Sequence, residues 1–291
     1  MKAPPFDYAC PRSLSEAIGL LAAANGEARI IAGGQSLLPL LAFRLASPSL
    51  LVDIRKVPDL RAVRAGSDGV VLGARVTWSD IESSADIKRW HPLLHSAVAH
   101  VAHYQIRNRG TVGGSLAHAD PAAELLGVAV ACGAEIETSG SSGRRFIKID
   151  DFLLDALSTC LGPDEIIVSV ALPPWLPRRR WAFEEFSRRA GDFALAGVAI
   201  HYDVDEFDRV RDARIAVIGA CNRSHRLREA EAFLNGKVAG EQVAAEAAKI
   251  GSNVIEPPSD IHAPAEYRRA LLAALIERGL SQAATRLPLG A

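Results

Sequence analysis

Apolar positions along this chain alternate between helical spacing and short unbroken runs, and that alternation predicts a mixed α/β protein. Phe6 to Ala9 reads as a strand. Ser13 and Glu16 form a capping box for a helix whose apolar face is Ala17, Ile18, Leu20, Leu21 and Ala24. Asn25-Gly26 stops that helix, after which Arg29 to Ala32 reads as a strand, Leu38 to Leu45 as a helix and Ser49 to Ile54 as a buried strand.

From about Val57 the pattern changes, which places a first domain at 1–56 and a second at 57–174. Gly69 to Leu72 reads as a strand, Thr77 with Asp80 as a helix cap, Pro92 to Ala102 as a longer helix and Pro121 to Cys132 as another. Strands follow at Ala134 to Thr138, Arg145 to Ile149 and Ile166 to Leu172. Three prolines among residues 173–177, then Arg178 to Arg180, read as a linker with a solvated arginine hinge rather than an anion site. A third domain, 175–291, carries strands at Trp181 to Arg188, Ala194 to Asp203 and Arg211 to Gly219, closed by helices at Leu227 to Leu234, Gly240 to Ile250 and Ala265 to Arg278.

Composition narrows the function. The 291 residues are 49% apolar, enough for real cores, and 33 basic against 34 acidic side chains leave no surplus to drive binding to nucleic acid. No run is long and apolar enough for a membrane span, and no apolar stretch follows Lys2, so the expectation is a cytoplasmic protein. Cys10, Cys132, Cys160 and Cys221 are too far apart to hold an iron-sulfur cluster. His91 and His95 share a helix face but suit its wet edge, so no metal site is predicted.

Two glycine-rich stretches carry the candidate chemistry. They are Ile30-Ile31-Ala32-Gly33-Gly34-Gln35-Ser36-Leu37 and Thr111-Val112-Gly113-Gly114-Ser115. Glycine lets backbone amides approach a phosphate oxygen and take positive φ, so that successive N–H groups converge on an anion. Gln35, Ser36, Thr111 and Ser115 add side-chain donors. Neither stretch is a P-loop or a Gly-x-Gly-x-x-Gly fingerprint, and one Gly-Gly alone makes a turn. Two of them in neighbouring domains point to a diphosphate bridging a cleft. Asp120, before Pro121, reads as a helix cap or an acid near the ligand, and Glu124 would point from the first turn toward a ribose hydroxyl or ring N–H. Gly191-Asp192 marks a turn, and Phe193 at its exit is either core or the cover of a planar ligand. No nucleophile and base stand at convincing spacing, so a cofactor must perform the chemistry.

These stretches resemble the FAD-binding medium subunit of bacterial molybdenum hydroxylases, the xanthine and carbon monoxide dehydrogenase family. The likeness lies in Ala32 to Pro39, Arg107 to Glu124 and Arg188 to Ala194, in order, with Ser259 to Arg269 similar to the family's closing domain. The resemblance implies an FAD-binding fold of the PCMH (vanillyl-alcohol-oxidase-like) type, in which two small α/β domains grip FAD and a C-terminal α+β domain packs against them. It also implies that residues 30–37 and 111–115 wrap the diphosphate, that Glu124 meets the FAD, that Val101 and Ile167 make apolar contacts, and that Phe193, next to Asp192, lies beside the isoalloxazine ring. One departure stands out, since several relatives carry a lysine within the stretch matching Phe183 to Phe186, where this chain has Glu184 and Glu185.

By the same likeness, the molybdenum cofactor sits on a large partner subunit and [2Fe-2S] clusters on a small one, in a dimer of heterotrimers. This chain would take electrons from the clusters and pass them to an external acceptor. The alternatives are a self-contained FAD oxidoreductase, with His118 or Glu124 beside the flavin, and a nucleotide-binding subunit without turnover.

Overall fold

The computed structural model describes residues 2–286, so the last five residues of the third predicted domain lie outside it. The chain opens with β1 (Asp7–Ala9), α1 (Leu14–Ala23), β2 (Ala28–Ile31), α2 (Leu37–Ala42) and β3 (Leu50–Asp53). The strands pair in parallel in the order β1-β3-β2, which needs crossover connections of the kind α1 supplies. Ala17 and Leu21 of α1 pack on Val52, Ile54 and Leu60, with Ile166 brought from more than a hundred residues away. Only half of the predicted capping box forms. Ser13 accepts the Glu16 N–H, but the Glu16 carboxylate takes the Arg12 N–H instead.

Next come β4 (Val63–Gly66) and β5 (Gly69–Gly73), followed by α3 (Trp78–Glu82), α4 (Ala85–Trp90), α5 (Pro92–Val98), α6 (Tyr104–Arg107), α7 (Val112–His118) and α8 (Glu124–Cys132). Then follow β6 (Glu135–Gly140), β7 (Gly143–Lys148), α9 (Ile149–Phe152), the ribbon β8 (Leu153–Asp155) and β9 (Ser158–Thr159), and β10 (Ile166–Leu172). The antiparallel sheet runs β4-β5-β10-β6-β7. Thr77 and Asp80 form the full capping box predicted for α3. The helix expected over 92–102 ends at Val98, because Ala102 takes positive φ and the chain turns into α6.

The last part is the meander β11 (Arg180–Phe186), β12 (Ala196–Val204) and β13 (Val210–Ile218), with α10 (Arg228–Leu234), α11 (Glu241–Asn253) and α12 (Ala265–Thr285). Its sheet is apolar on both faces. Phe183, Ala199, Ala216 and Ile218 face the core shared with α8, whereas Ala182, Val198, Ile200 and Val217 face Leu272, Ile276 and Leu280 of α12. Gly127 lets α8 lie against the sheet, since a Cβ there would stand 2.3 Å from Ile218.

The arginine run is not a solvated hinge. Trp175 is only 7% exposed, Arg179 lies over its ring at 5.3 Å and grips Asp203 through two hydrogen bonds of 2.8 and 2.9 Å, and Arg180 already belongs to β11. The prolines break regular structure, but the tryptophan between them has buried surface to fill. Nor does His91 sit at a wet helix edge. It is fully buried, and its ring caps α5 by accepting the Leu94 N–H.

Candidate functional site

A cleft of about 1120 Å³ runs between the first parallel sheet and the helices of the middle unit, and the C-terminal unit closes one end. That exceeds the roughly 300–1,000 Å³ of a pocket for a drug-sized ligand. The predicted residues converge there from all three parts of the chain. Of the first stretch, Ile30 and Ala32 to Leu37 line it; of the second, Thr111, Gly113, Gly114 and Ser115; and Val101, Asp120, Glu124, Ile167, Asp192 and Phe193 complete the wall. Ile31 and Val112 do not. Val112 is fully buried in the middle core, and Ile31 lies under Gly34.

The two glycine stretches are less alike than their sequences. In the first, between β2 and α2, the amides of Gly33, Gly34, Gln35 and Ser36 donate to no acceptor among the described residues. Gly34 has φ +75°, a conformation that L side chains rarely adopt and that turns neighbouring amides to one side. The second stretch is the start of α7 with Thr111 as its N-cap, and its amides are spent: Val112 on Val76 O, Gly113 on Ala74 O, Gly114 on Thr111 Oγ1 and Ser115 on Thr111 O. An amide nest therefore exists only in the first stretch. The second presents the exposed Cα of Gly114 and the hydroxyl groups of Thr111 and Ser115.

Packing also explains two of the glycines. A Cβ on Gly33 would lie 1.9 Å from the Arg109 carbonyl oxygen, and one on Gly113 would lie 2.5 Å from the Ala74 Cβ. The first stretch thus rests directly on the backbone leading into the second. Gly110 is pinned in turn, 2.7 Å from Trp78 Nε1 on the same measure.

Asp120 is not the cap of α8. Its carboxylate accepts the Ala122 N–H at 2.9 Å in a local turn, because Ala119 in the left-handed region ends α7 and four more residues pass before α8 starts at Glu124. Glu124 makes no ion pair with any described residue, and burial, with Asp120 adding repulsion, pushes its carboxyl up to about 7. Phe193 is no core residue: it is 72% exposed at the cleft mouth. Behind the wall, Glu184 is held by Arg278, whereas burial beside Glu124 pushes Glu185 up to about 8.

Sequence reasoning found Asp192 and Phe193 of the C-terminal unit but missed the rest of its contribution. Pro258, Asp260 and His262 reach the cleft on a loop fastened by Arg268. Buried to 4% exposure, Arg268 donates to Leu195 O, Gly219 O and Asp260. Arg268 falls within an amphipathic helix, and nothing in its spacing distinguishes it from a solvated arginine.

A cleft between α/β units, with unpaired amides on one lip and a bare glycine on the other, is the mark of a protein that holds a large phosphate-bearing cofactor. Residues 4–175 match the family described as FAD binding domain in molybdopterin dehydrogenase, and residues 181–283 match the CO dehydrogenase flavoprotein C-terminal domain. The chain belongs to this family of flavoprotein subunits of oxidoreductases, and FAD is its cofactor. It is 41% identical to the nicotine 6-hydroxylase medium subunit of Paenarthrobacter nicotinovorans, over 98% of this chain and 100% of that one. Among solved structures, it is similar to quinoline 2-oxidoreductase of Pseudomonas putida 86 (42% identity, TM-score 0.93, 98% of each chain). Carbon monoxide dehydrogenase of Hydrogenophaga pseudoflava is also similar (35% identity, TM-score 0.94, 97% of this chain and 98% of that one). Such relatives are medium subunits of multi-subunit molybdenum hydroxylases.

Proposed function

We propose that this chain is the electron-transfer subunit of a molybdenum hydroxylase, accepting electrons from [2Fe-2S] clusters of a small partner and delivering them to an external acceptor. The observation that carries this reading is the pairing of a built dinucleotide cleft with the absence, among the described cleft residues, of a nucleophile held by a base. When bound, FAD supplies a carrier that takes electrons singly and gives up a pair. The chain's own residues hold and orient that carrier. The amides of Gly33 to Ser36 would take the diphosphate oxygens, Ser115 and Thr111 would add hydroxyl donors from the facing lip, and Gly114 would leave room for the chain of atoms between them. Val101 and Ile167 exclude water from the interior. Glu124 would meet a hydrogen-bonding edge of the cofactor, and Phe193 with Asp192 would border the ring at the mouth.

Substrate choice belongs on another subunit. Medium chains whose holoenzymes are named for carbon monoxide and for quinoline match this chain at TM-scores of 0.93–0.94, so the fold follows no particular substrate. The assembly we propose is a dimer of heterotrimers with a large molybdenum-cofactor subunit and a small iron-sulfur subunit. Domain bounds of 1–56, 57–174 and 175–291 and a cytoplasmic setting belong to the same reading. No helix among the described residues is long and apolar enough to cross a membrane.

The test is reduction of the FAD-loaded chain with and without its partners. In the assembled enzyme, substrate should bleach the flavin absorbance, whereas the isolated chain should bleach only with an artificial donor. Bleaching of the isolated chain by an organic substrate would show the self-contained oxidoreductase instead.

A further inference from the structure

Well away from Glu124, at the C-terminal end of α8, three aromatic rings from three parts of the chain meet. His91 precedes α5, Trp175 stands among the prolines, and His201 lies on β12, with ring centroids 4.8 Å apart for His91 and Trp175 and 5.8 Å for Trp175 and His201. All three are buried, at 0%, 7% and 2% exposure. Each leaves one nitrogen with no partner among the described residues: His91 Nε2, Trp175 Nε1 and His201 Nδ1.

Their neighbours fix what each nitrogen offers. His91 Nδ1 accepts the Leu94 N–H at 3.2 Å, so a neutral ring carries its hydrogen on Nε2. His201 Nε2 lies 3.0 Å from the Ala131 carbonyl oxygen, which only accepts, so the hydrogen is on Nε2 and Nδ1 keeps a lone pair. Indole nitrogen only donates. The cluster therefore presents two N–H donors and one acceptor. Burial opposes a second proton on either histidine, and Arg179, over the Trp175 ring at 5.3 Å, adds repulsion.

We propose that a single buried water is bound here, accepting from His91 Nε2 and Trp175 Nε1 and donating to His201 Nδ1. A cation would meet two N–H groups and an anion would meet the lone pair, whereas water satisfies all three with the roughly three hydrogen bonds usual for buried water. Two nitrogens hydrogen-bonded to one tetrahedral oxygen stand about 4.7 Å apart, and rings whose centroids lie 4.8 and 5.8 Å apart bring their edge atoms within that range. A hollow of about 280 Å³ lined by Cys132, Pro173, Pro174, Arg179 and His201 reaches the His201 side of the cluster. The water fastens the proline segment to the middle unit through His91 and to the last sheet through His201. This site is independent of the FAD cleft.

Two measurements on the FAD-loaded chain test it. A crystal structure showing ordered solvent should reveal an isolated peak about 2.7–3.2 Å from all three nitrogens. Nitrogen chemical shifts of labelled histidine should show His91 and His201 both protonated on Nε2 at neutral pH. Absence of the peak, a direct Trp175 Nε1 to His201 Nδ1 bond, or a hydrogen on His201 Nδ1 would each overturn the assignment.

Discussion

Gly33 and Gly114 both sit in Gly-Gly pairs at the cleft, yet only Gly33 is packed against backbone, and alanine at each separates that packing from the FAD contact proposed for Gly114. In Gly33→Ala the new methyl would stand 1.9 Å from the Arg109 carbonyl oxygen, 2.7 Å from its carbon and 3.1 Å from the Gly110 Cα. All three are backbone atoms, so relief requires the two stretches to part by more than an ångström. The cost belongs at the top of the overpacking range, about 3 kcal/mol. At roughly 2–4 °C per kcal/mol, the apo-protein should melt about 6–12 °C lower. In Gly114→Ala the methyl meets only Thr111 Oγ1, at 2.9 Å, and otherwise faces the cleft. Alanine in a helix is worth up to about 1 kcal/mol over glycine, which offsets that contact, so the melting temperature should stay within about 2 °C. FAD binding, followed by quenching of flavin fluorescence, should nonetheless weaken at least tenfold, about 1.4 kcal/mol. A Gly33→Ala chain that melts with the wild type, or a Gly114→Ala chain that binds FAD normally, would refute the division of labour.

Four further outcomes are expected. Gly34→Val forces a β-branched residue to φ +75° with its Cβ 3.0 Å from Leu38 Cδ1, and should release FAD on gel filtration. Glu124→Gln should change the pH profile of apo-protein melting. The folded chain keeps a proton on Glu124 up to about pH 7 that the unfolded chain loses near 4.5, so this contribution is complete below 4.5 and gone above 7. The variant, lacking that loss, should gain relative to wild type as pH rises, and parallel profiles would contradict the buried acid. Arg179→Met should cost about 2 kcal/mol in chemical denaturation by leaving Asp203 partly buried and unpaired, whereas a solvated hinge would tolerate it. Arg268→Met should cost about 3 kcal/mol, and limited proteolysis should then cut the Pro258 to His262 loop faster than in the wild type.

Much of this molecule was legible in one dimension. Helix and strand periods located α1, β3, α8, β10 and the last three strands, since those elements bury one face or both against large cores and their apolar spacing shows it. Short elements such as α4, α6 and the β8–β9 ribbon left no period to read. Glycine stretches and their polar neighbours marked the cleft, because the requirement for backbone without side chains is written directly as glycine.

What the chain alone could not tell was which glycine faces open cleft and which packs on the neighbouring backbone. That depends on where Arg109 and Ala74 arrive, through contacts 76 and 39 residues distant in sequence. The same holds for Trp175 and Arg179, whose local composition is that of a solvated linker, and for Arg268, one arginine among several. Local sequence determined the elements and the kind of group the cleft takes, because propensity and backbone freedom act over a few residues. Tertiary structure decided which amides stay unpaired, which acids lose their water and which arginines become buried anchors, because hydrogen-bond partners and dielectric surroundings are supplied by segments far apart in the chain.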